Sequence, residues 1–248
     1  MRHEVMHRSV EIGAGLILEG GLIPSDMIAK IARGRAPEQG ASDYEVPKGL
    51  TLNDEIERAF RMARAANDEP AADSAAQVRA MLRGFGFDDL KPKPLMAGER
   101  HFAVDMLTGD GRVPVVIAPE GGLDRARHEG GPAGRFRSPA LLLQDALNAS
   151  DDALWGLVTD GKRIRLMRDS VRLGRPAFLE ADLAAILDTD DLGAFAGLWR
   201  LIHRTRFGRG EAMEGPLERW SKAAAEQGIA ARERLRDGVE AALRALGA

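Results

Sequence analysis

The segment Val113-Pro114-Val115-Val116-Ile117-Ala118 constrains this chain more than any other. It is apolar throughout and too short for a typical helix, so it reads as a strand buried on both faces of a sheet. A sheet of that kind needs cover on each side, which in a single chain means helices. The neighbouring sequence supplies further strands. His101 to Leu107 alternates as a strand, and Thr108-Gly109-Asp110-Gly111 is a turn signal between it and the apolar run. Trp155 to Thr159, the turn Asp160-Gly161 and Ile164 to Arg168 read as a hairpin, and Ala177 to Leu179 extends the sheet. The expected class is α/β: a mixed sheet of about four to six strands flanked by helices.

Helical periodicity fills the rest. Pro24 suits a first turn, and Ser25 or Asp26 a cap, for a helix over Asp26 to Ala32. Leu52, Ile56, Ala59, Phe60 and Ala63 share one stripe of a helix from Leu52 to Ala66. Ser74 opens a third helix to Leu82, closed by Gly84-Phe85-Gly86-Phe87, and Lys91 to Pro94 is a Pro-rich link. Ser138 caps a helix with Pro139 at its first position, running to Ala149. Asp182 to Leu187 and Leu192 to Thr205 are the next helices, with Trp199 a core residue. An amphipathic helix starts near Pro216, its stripe including Leu217, Trp220, Leu235, Val239, Leu243 and Leu246. The organisation expected is a mainly helical part over 1–100, an α/β core over 101–210 and a helical arm over 211–248. Nothing later in the sequence covers the arm's stripe, which points to a truncated polypeptide or, alternatively, to a dimer.

Composition excludes several chemistries. The chain has no cysteine, so disulfides, thiolate zinc sites and a cysteine nucleophile are ruled out, and a reducing cytoplasm is the expected compartment. No apolar run approaches the roughly 20 residues that cross a bilayer, and Met1-Arg2-His3-Glu4 is not followed by an apolar leader core. The net charge of -3 conceals basic clusters. Lys162, Arg163, Arg165, Arg168, Arg172 and Arg175 face the single acid Asp169, and Arg200, His203, Arg204, Arg206 and Arg209 follow. Two readings are open. The hairpin arginines are solvated edge residues, or Lys162, Arg163, Arg165, Arg168, Arg204 and Arg206 meet DNA phosphates. The loop from Gly121 to Arg137, with Arg125, Arg127, Arg135 and Arg137, carries the same ambiguity.

The hairpin from Trp155 to Asp169, followed by Arg175-Pro176-Ala177-Phe178-Leu179-Glu180-Ala181-Asp182-Leu183 and by Leu198 to Phe207, resembles the N-terminal region of Eco57I-type bacterial restriction–modification DNA methyltransferases. These are similar to type IIG enzymes and have relatives in DISARM-type phage-defence systems. Gly20-Gly21-Leu22-Ile23-Pro24, Arg137 to Asp151 and Arg232 to Leu246 resemble further blocks of the same region in the same order. The resemblance implies N6-adenine methylation with S-adenosylmethionine for the full-length family. That reaction needs an Asn-Pro-Pro-aromatic loop for the flipped base, and no such tetrapeptide occurs here. The expected role is therefore a non-catalytic, DNA-engaging or scaffolding portion whose partners are DNA and a methyltransferase region, with no cofactor bound by this chain.

Two other readings stand beside it. The order strand, turn, strand, helix, strand from His101 to Val158 follows the PD-(D/E)XK nuclease core, in intact or degenerate form. In that chemistry two carboxylates at adjacent strand ends hold Mg2+ and a lysine two residues after the second orients the water. Asp105 and Glu120 are the candidate acids and Gln144 falls on the following helix, but Gly121 and Gly122 stand where the lysine belongs. Mg2+ is implied only under this alternative. The third reading is a protein-interaction module pairing through the arm. Glu11-Ile12-Gly13-Ala14-Gly15 superficially fits a cofactor turn, yet Leu18 replaces a third glycine and Pro24 interrupts the helix that should follow. His3 and His7 have metal-compatible helical spacing on an N-terminus better read as floppy. His101 lacks a local catalytic partner, and His203 among arginines reads as a surface or phosphate contact.

Overall fold

A computed structural model describes residues 10–11, 16–19, 22–68, 73–128, 136–169, 177–208, 215–223, 226, 235–236 and 239. His3, His7, the turn at Gly13 and Gly15, Arg135, Arg172, Arg175, Arg209, Leu243 and Leu246 lie outside the described residues. The fold is α/β. Its main sheet has the order β1-β2-β11-β10-β9-β6-β5. The body is β2 (Leu16–Glu19), β11 (Phe178–Asp182), β10 (Arg163–Arg168), β9 (Trp155–Thr159) and β6 (Pro114–Ile117). The two-residue strands β1 (Val10–Glu11) and β5 (Met106–Leu107) lie at the edges. Only β6 and β9 run parallel. The helix α4 (Pro139–Ala149) makes that crossover, capped by the Ser138 hydroxyl, which accepts from Leu141 N–H at 3.2 Å, with Pro139 at its first position.

Alternation along the strands divides the core into two layers. Val115 and Ile117 of β6, Leu157 of β9, and Ile164 and Leu166 of β10 face one side. There they meet α1 (Ser25–Ala32), α2 (Leu52–Asp68), α3 (Ser74–Arg83), α5 (Leu183–Asp188) and α6 (Leu192–Ile202). Val116, Ala118, Val158 and Met167 face the other side, against Leu143, Ala146 and Leu147 of α4. The apolar run is thus buried on both faces, as its composition demanded. Gly156 is required by this packing: a Cβ there would stand 2.8 Å from Leu143 Cδ1 and 3.0 Å from Pro114 O.

Several elements differ from expectation. The stretch His101 to Leu107 is not one strand. β4 (Arg100–Phe102) pairs with β3 (Leu95–Ala97) in a separate hairpin, and the chain bends before β5. The β9–β10 turn is closed by Asp160 and Arg163, so Gly161 and Lys162 form its tip. Gly161 has φ +86°, the left-handed geometry that a glycine at the first tip position supplies. The first helix begins after Pro24 with no side-chain cap. The third is capped by Asp73, whose Oδ1 accepts from Ala75 N–H, rather than by Ser74. Residue 100 is no boundary in the packing. β2 pairs with β11, and one core runs from Leu22 through Leu198 to Trp220. After α6 come a 3-10 turn, Arg204–Phe207, and a helical segment at 216–223.

Arg165 and Glu180 face each other across β10 and β11, both nearly buried, and are joined at 2.8 Å and 2.6 Å. The guanidinium stacks 3.8 Å over the Phe178 ring and also donates to both oxygens of the exposed Asp124, at 2.7 and 2.8 Å. Those bonds hold the Asp124 carboxyl below the usual carboxylate range. Removing one member of a buried pair leaves the other charge uncompensated. Glu180→Ala should therefore lower unfolding free energy by about 3 kcal/mol. The double change Arg165→Met with Glu180→Leu should cost less than the single one, and Asp124→Ala under about 1 kcal/mol. Urea denaturation checks all three, and a single Glu180→Ala that is neutral contradicts the pairing.

Candidate functional site

The nuclease-like end of the sheet has its polar groups committed elsewhere. Asp105 Oδ2 accepts from Ile117 N–H at 2.7 Å, so this carboxylate holds β6 in place. Ala118 N–H still donates to Thr159 O at 2.8 Å, and Pro119 then turns the chain out. The strand end beside Asp105 is therefore Ala118, and Glu120 lies beyond it. Glu120 accepts from Lys162 Nζ at 2.6 Å, while Gly121 N–H donates to Asp160 Oδ2 at 2.9 Å. Both contacts tie the turn after β6 to the tip of the β9–β10 hairpin.

Gln144 belongs to the far end of β9. It is buried, and its Nε2 donates to Arg168 O and Asn148 Oδ1, each at 3.0 Å. Arg168 sits opposite Trp155, four residues back from Thr159, or about 13 Å along the strand. Asp105, Glu120 and Gln144 do not converge, and this end of the sheet does not fit Mg2+. No group of three or more histidine, aspartate or glutamate side chains suited to a metal ion occurs among the described residues.

The six basic residues expected to meet phosphate are distributed unevenly. Lys162 is exposed but paired with Glu120, and Arg163 lies 3.6 Å from Glu180. The other four are turned into the protein, which corrects their assignment as phosphate contacts. Arg165 is held by Glu180 and Asp124. Arg168 donates to both oxygens of the buried Glu218, at 3.1 and 2.9 Å. Arg204 is paired with Asp110 and donates to Gly208 O at 3.1 Å. Arg206 is 1% exposed. Its guanidinium donates to Glu38 O at 2.6 Å and to Asp43 O, and it lies 4.0 Å over the Tyr44 ring and 5.6 Å from the Trp220 ring. A buried guanidinium must be fully engaged, and the groups that engage these four come from distant parts of the chain.

What the fold does bring together is a cleft of about 620 Å³ between the helices and the sheet end. Tyr44 and Glu45 reach it from one side, Glu55 and Arg58 from α2, and Arg83 from α3. Gly86, Asp88 and Asp89 supply the loop wall, and Asp110, His203, Arg204 and Thr205 the remainder. His203, read from sequence as a surface residue, is buried on this wall. Its ring stands 4.4 Å from Trp199 and 5.4 Å from Tyr44, and it packs on Gly86, where a Cβ would come within 2.6 Å of Nε2. Gly86 has φ +80°, so both its backbone and its surroundings require glycine. In sequence, Arg204 and Arg206 beside His203 read as phosphate contacts. The only local sign of a cleft was the pair of glycines at Gly84 and Gly86.

No protein-family model matches the chain, and no curated protein or solved structure matches it. No helix among the described residues is long and apolar enough to cross a membrane.

Burial, reinforced by the charges of Arg206 and Arg204, pushes the His203 imidazole down to about 3. The linkage sign follows. The unfolded chain takes up a proton near pH 6.5 that the folded protein refuses, so stability is full above that pH and falls as pH drops toward 3. Between pH 7 and 5 this residue should remove about 1–2 kcal/mol. Urea titrations at both pH values, compared with His203→Asn, read the effect. An imidazole resonance for His203 that titrates near pH 6.5 contradicts it.

Proposed function

We propose that this chain is a non-catalytic scaffolding portion of a restriction–modification adenine DNA methyltransferase, related in strand order to the PD-(D/E)XK nucleases. The observation that carries the scaffolding role is the internal use of its arginines. Arg165, Arg168, Arg204 and Arg206 hold the sheet, the 3-10 turn and the 216–223 helix together rather than forming a basic face. The strand order β5-β6-α4-β9 supports the nuclease-like ancestry. The positions that would carry its chemistry hold Ala118 and an ion-paired Glu120. The methyltransferase connection rests on the ordered blocks from Gly20 to Leu246. S-adenosylmethionine and the methyl transfer then belong to a methyltransferase region acting with this one, and DNA contact by this portion is secondary.

Tagged chain expressed with its neighbouring coding sequence should co-purify or be continuous with a polypeptide that bears an Asn-Pro-Pro-aromatic loop. Absence of any such polypeptide sinks the assignment. Binding of the isolated chain to a 30-base-pair duplex should be weak, with a salt slope no steeper than about -2. Supercoiled plasmid should stay intact with Mg2+ or Mn2+. Cleavage that is lost in Asp105→Ala would instead establish the nuclease reading.

A further inference from the structure

Glu38 stands in a backbone conformation that its chain neighbours do not explain. Its φ is +59°, in the left-handed region that a residue with a side chain seldom occupies. Glu45, with φ +55°, is different, because it caps the 3-10 turn Ala41–Tyr44. There Glu45 N–H donates to Ser42 O at 3.1 Å and Val46 N–H to Ala41 O at 3.0 Å. Among the described residues no backbone hydrogen bond closes a turn around Glu38. What holds it comes from far along the chain. Its carbonyl accepts from Arg206 at 2.6 Å, and its carboxylate accepts from Arg219 Nε at 2.7 Å and from a second Arg219 nitrogen. The preceding carbonyl, Pro37 O, accepts from Trp220 Nε1–H at 3.1 Å. A conformation of this kind lasts only while its surroundings impose it.

Two of these holds belong to the 216–223 helix, and the third leads to the cleft. Arg206 donates through Nε to Thr205 Oγ1 at 3.1 Å and through a terminal nitrogen at 3.0 Å. A guanidinium only donates, so the Thr205 hydroxyl accepts from it and sends its own proton to His203 Nδ1, 2.9 Å away. Thr205 N–H also points at Nδ1, at 3.4 Å. With Nδ1 accepting, the imidazole proton sits on Nε2, and His203 lines the cleft. Lifting the helix removes Arg219 and Trp220 from Glu38 and Pro37 together. Glu38 then relaxes to the extended backbone that its side chain favours, and its carbonyl turns away from Arg206. The guanidinium keeps Asp43 O but loses one of the two carbonyls that fix its plane, and its hold on Thr205 slackens.

We infer that Glu38 is a conformational latch: seating of the 216–223 helix holds it left-handed, and this fixes the tautomer that His203 presents to the cleft. The latch is a property of the fold and does not rest on the scaffolding assignment. The test uses the full chain with 15N-labelled histidine, His203 being assigned by the loss of its signals in His203→Asn. The parent protein should show His203 as the single Nε2–H form. In Arg219→Met with Trp220→Phe, its two ring-nitrogen resonances should converge as the tautomers exchange, while the amide spectrum of the sheet is retained. Adding Glu38→Gly should restore the single form, because glycine takes the left-handed conformation without a side chain's cost. Coupling works in both directions, so Thr205→Val should speed hydrogen exchange of the Trp220 indole N–H by about fivefold or more. That measurement decides by itself where the double variant does not fold. His203 unmoved in the double variant, or unchanged indole exchange in Thr205→Val, overturns the coupling. Convergence that Glu38→Gly does not reverse overturns the latch at Glu38.

Discussion

The guanidinium of Arg206 is the interaction on which the arrangement of this molecule turns. It is buried, and among the described residues no carboxylate contacts it, so its donors turn to neutral oxygens. The carbonyls of Glu38 and Asp43 and the hydroxyl of Thr205 meet them, while Tyr44 and Trp220 supply aromatic faces. Those groups come from the loop after α1, from the 3-10 turn after α6, and from the 216–223 helix. One cation therefore sets where three separate segments meet. Trp220 Nε1–H donates to Pro37 O at 3.1 Å, and Arg219 is paired with Glu38, so the helix is clamped to the same loop on either side of the cation. Losing the guanidinium would take the donor away from two backbone carbonyls, Glu38 O and Asp43 O, at once.

The other buried charges follow the same logic with carboxylates in place of carbonyls. Arg165 links β10 to β11 and to the loop bearing Asp124, Arg168 links β10 to the 216–223 helix through Glu218, and Arg204 links the 3-10 turn to Asp110. Ion pairs of this kind add little net stability, because desolvation offsets much of the attraction. Their effect here is on register, since each pair is made only when two elements distant in sequence are correctly placed. The same use of arginines removes positive charge from the surface. Arg58 and Arg204 are neutralised in the same way, by Glu55 and Asp110 within the cleft.

What the sequence made legible was set by short-range physics. The apolar run at Val113, the Ser138-Pro139 helix start and the strands around Gly161 all depend on residues within a few positions, and each element formed where expected. The strand expected over His101 to Leu107 is interrupted between Phe102 and Met106, where the Asp105 carboxylate accepts from Ile117 N–H, a tertiary contact no periodicity reveals. The joining of β2 to β11 was hidden for the same reason: a short apolar run carries no sign of its partner. The basic clusters misled most. Arg206 and Glu38 are 168 residues apart, and Arg168 and Glu218 are 50 apart. Charge counted along the chain could not show that these cations would be buried.

His203 ends a chain of hydrogen bonds that starts at Arg206, which donates to Thr205 Oγ1, and reaches His203 Nδ1 through the Thr205 hydroxyl, 2.9 Å away. The relay begins at a group that can neither accept a hydrogen bond nor lose its proton in the working pH range. Its direction therefore cannot reverse while Thr205 stays in place, and the imidazole cannot exchange its tautomer without breaking a bond to Thr205. Protonating the ring is opposed by burial and by the two adjacent guanidiniums. A histidine is ordinarily the most adaptable polar side chain near neutral pH. Here it is reduced to a fixed, uncharged donor, and the residue responsible is the same Arg206 that fastens the loop after α1 to the 216–223 helix. Any change that loosens that fastening should alter the cleft as well, because both depend on one guanidinium.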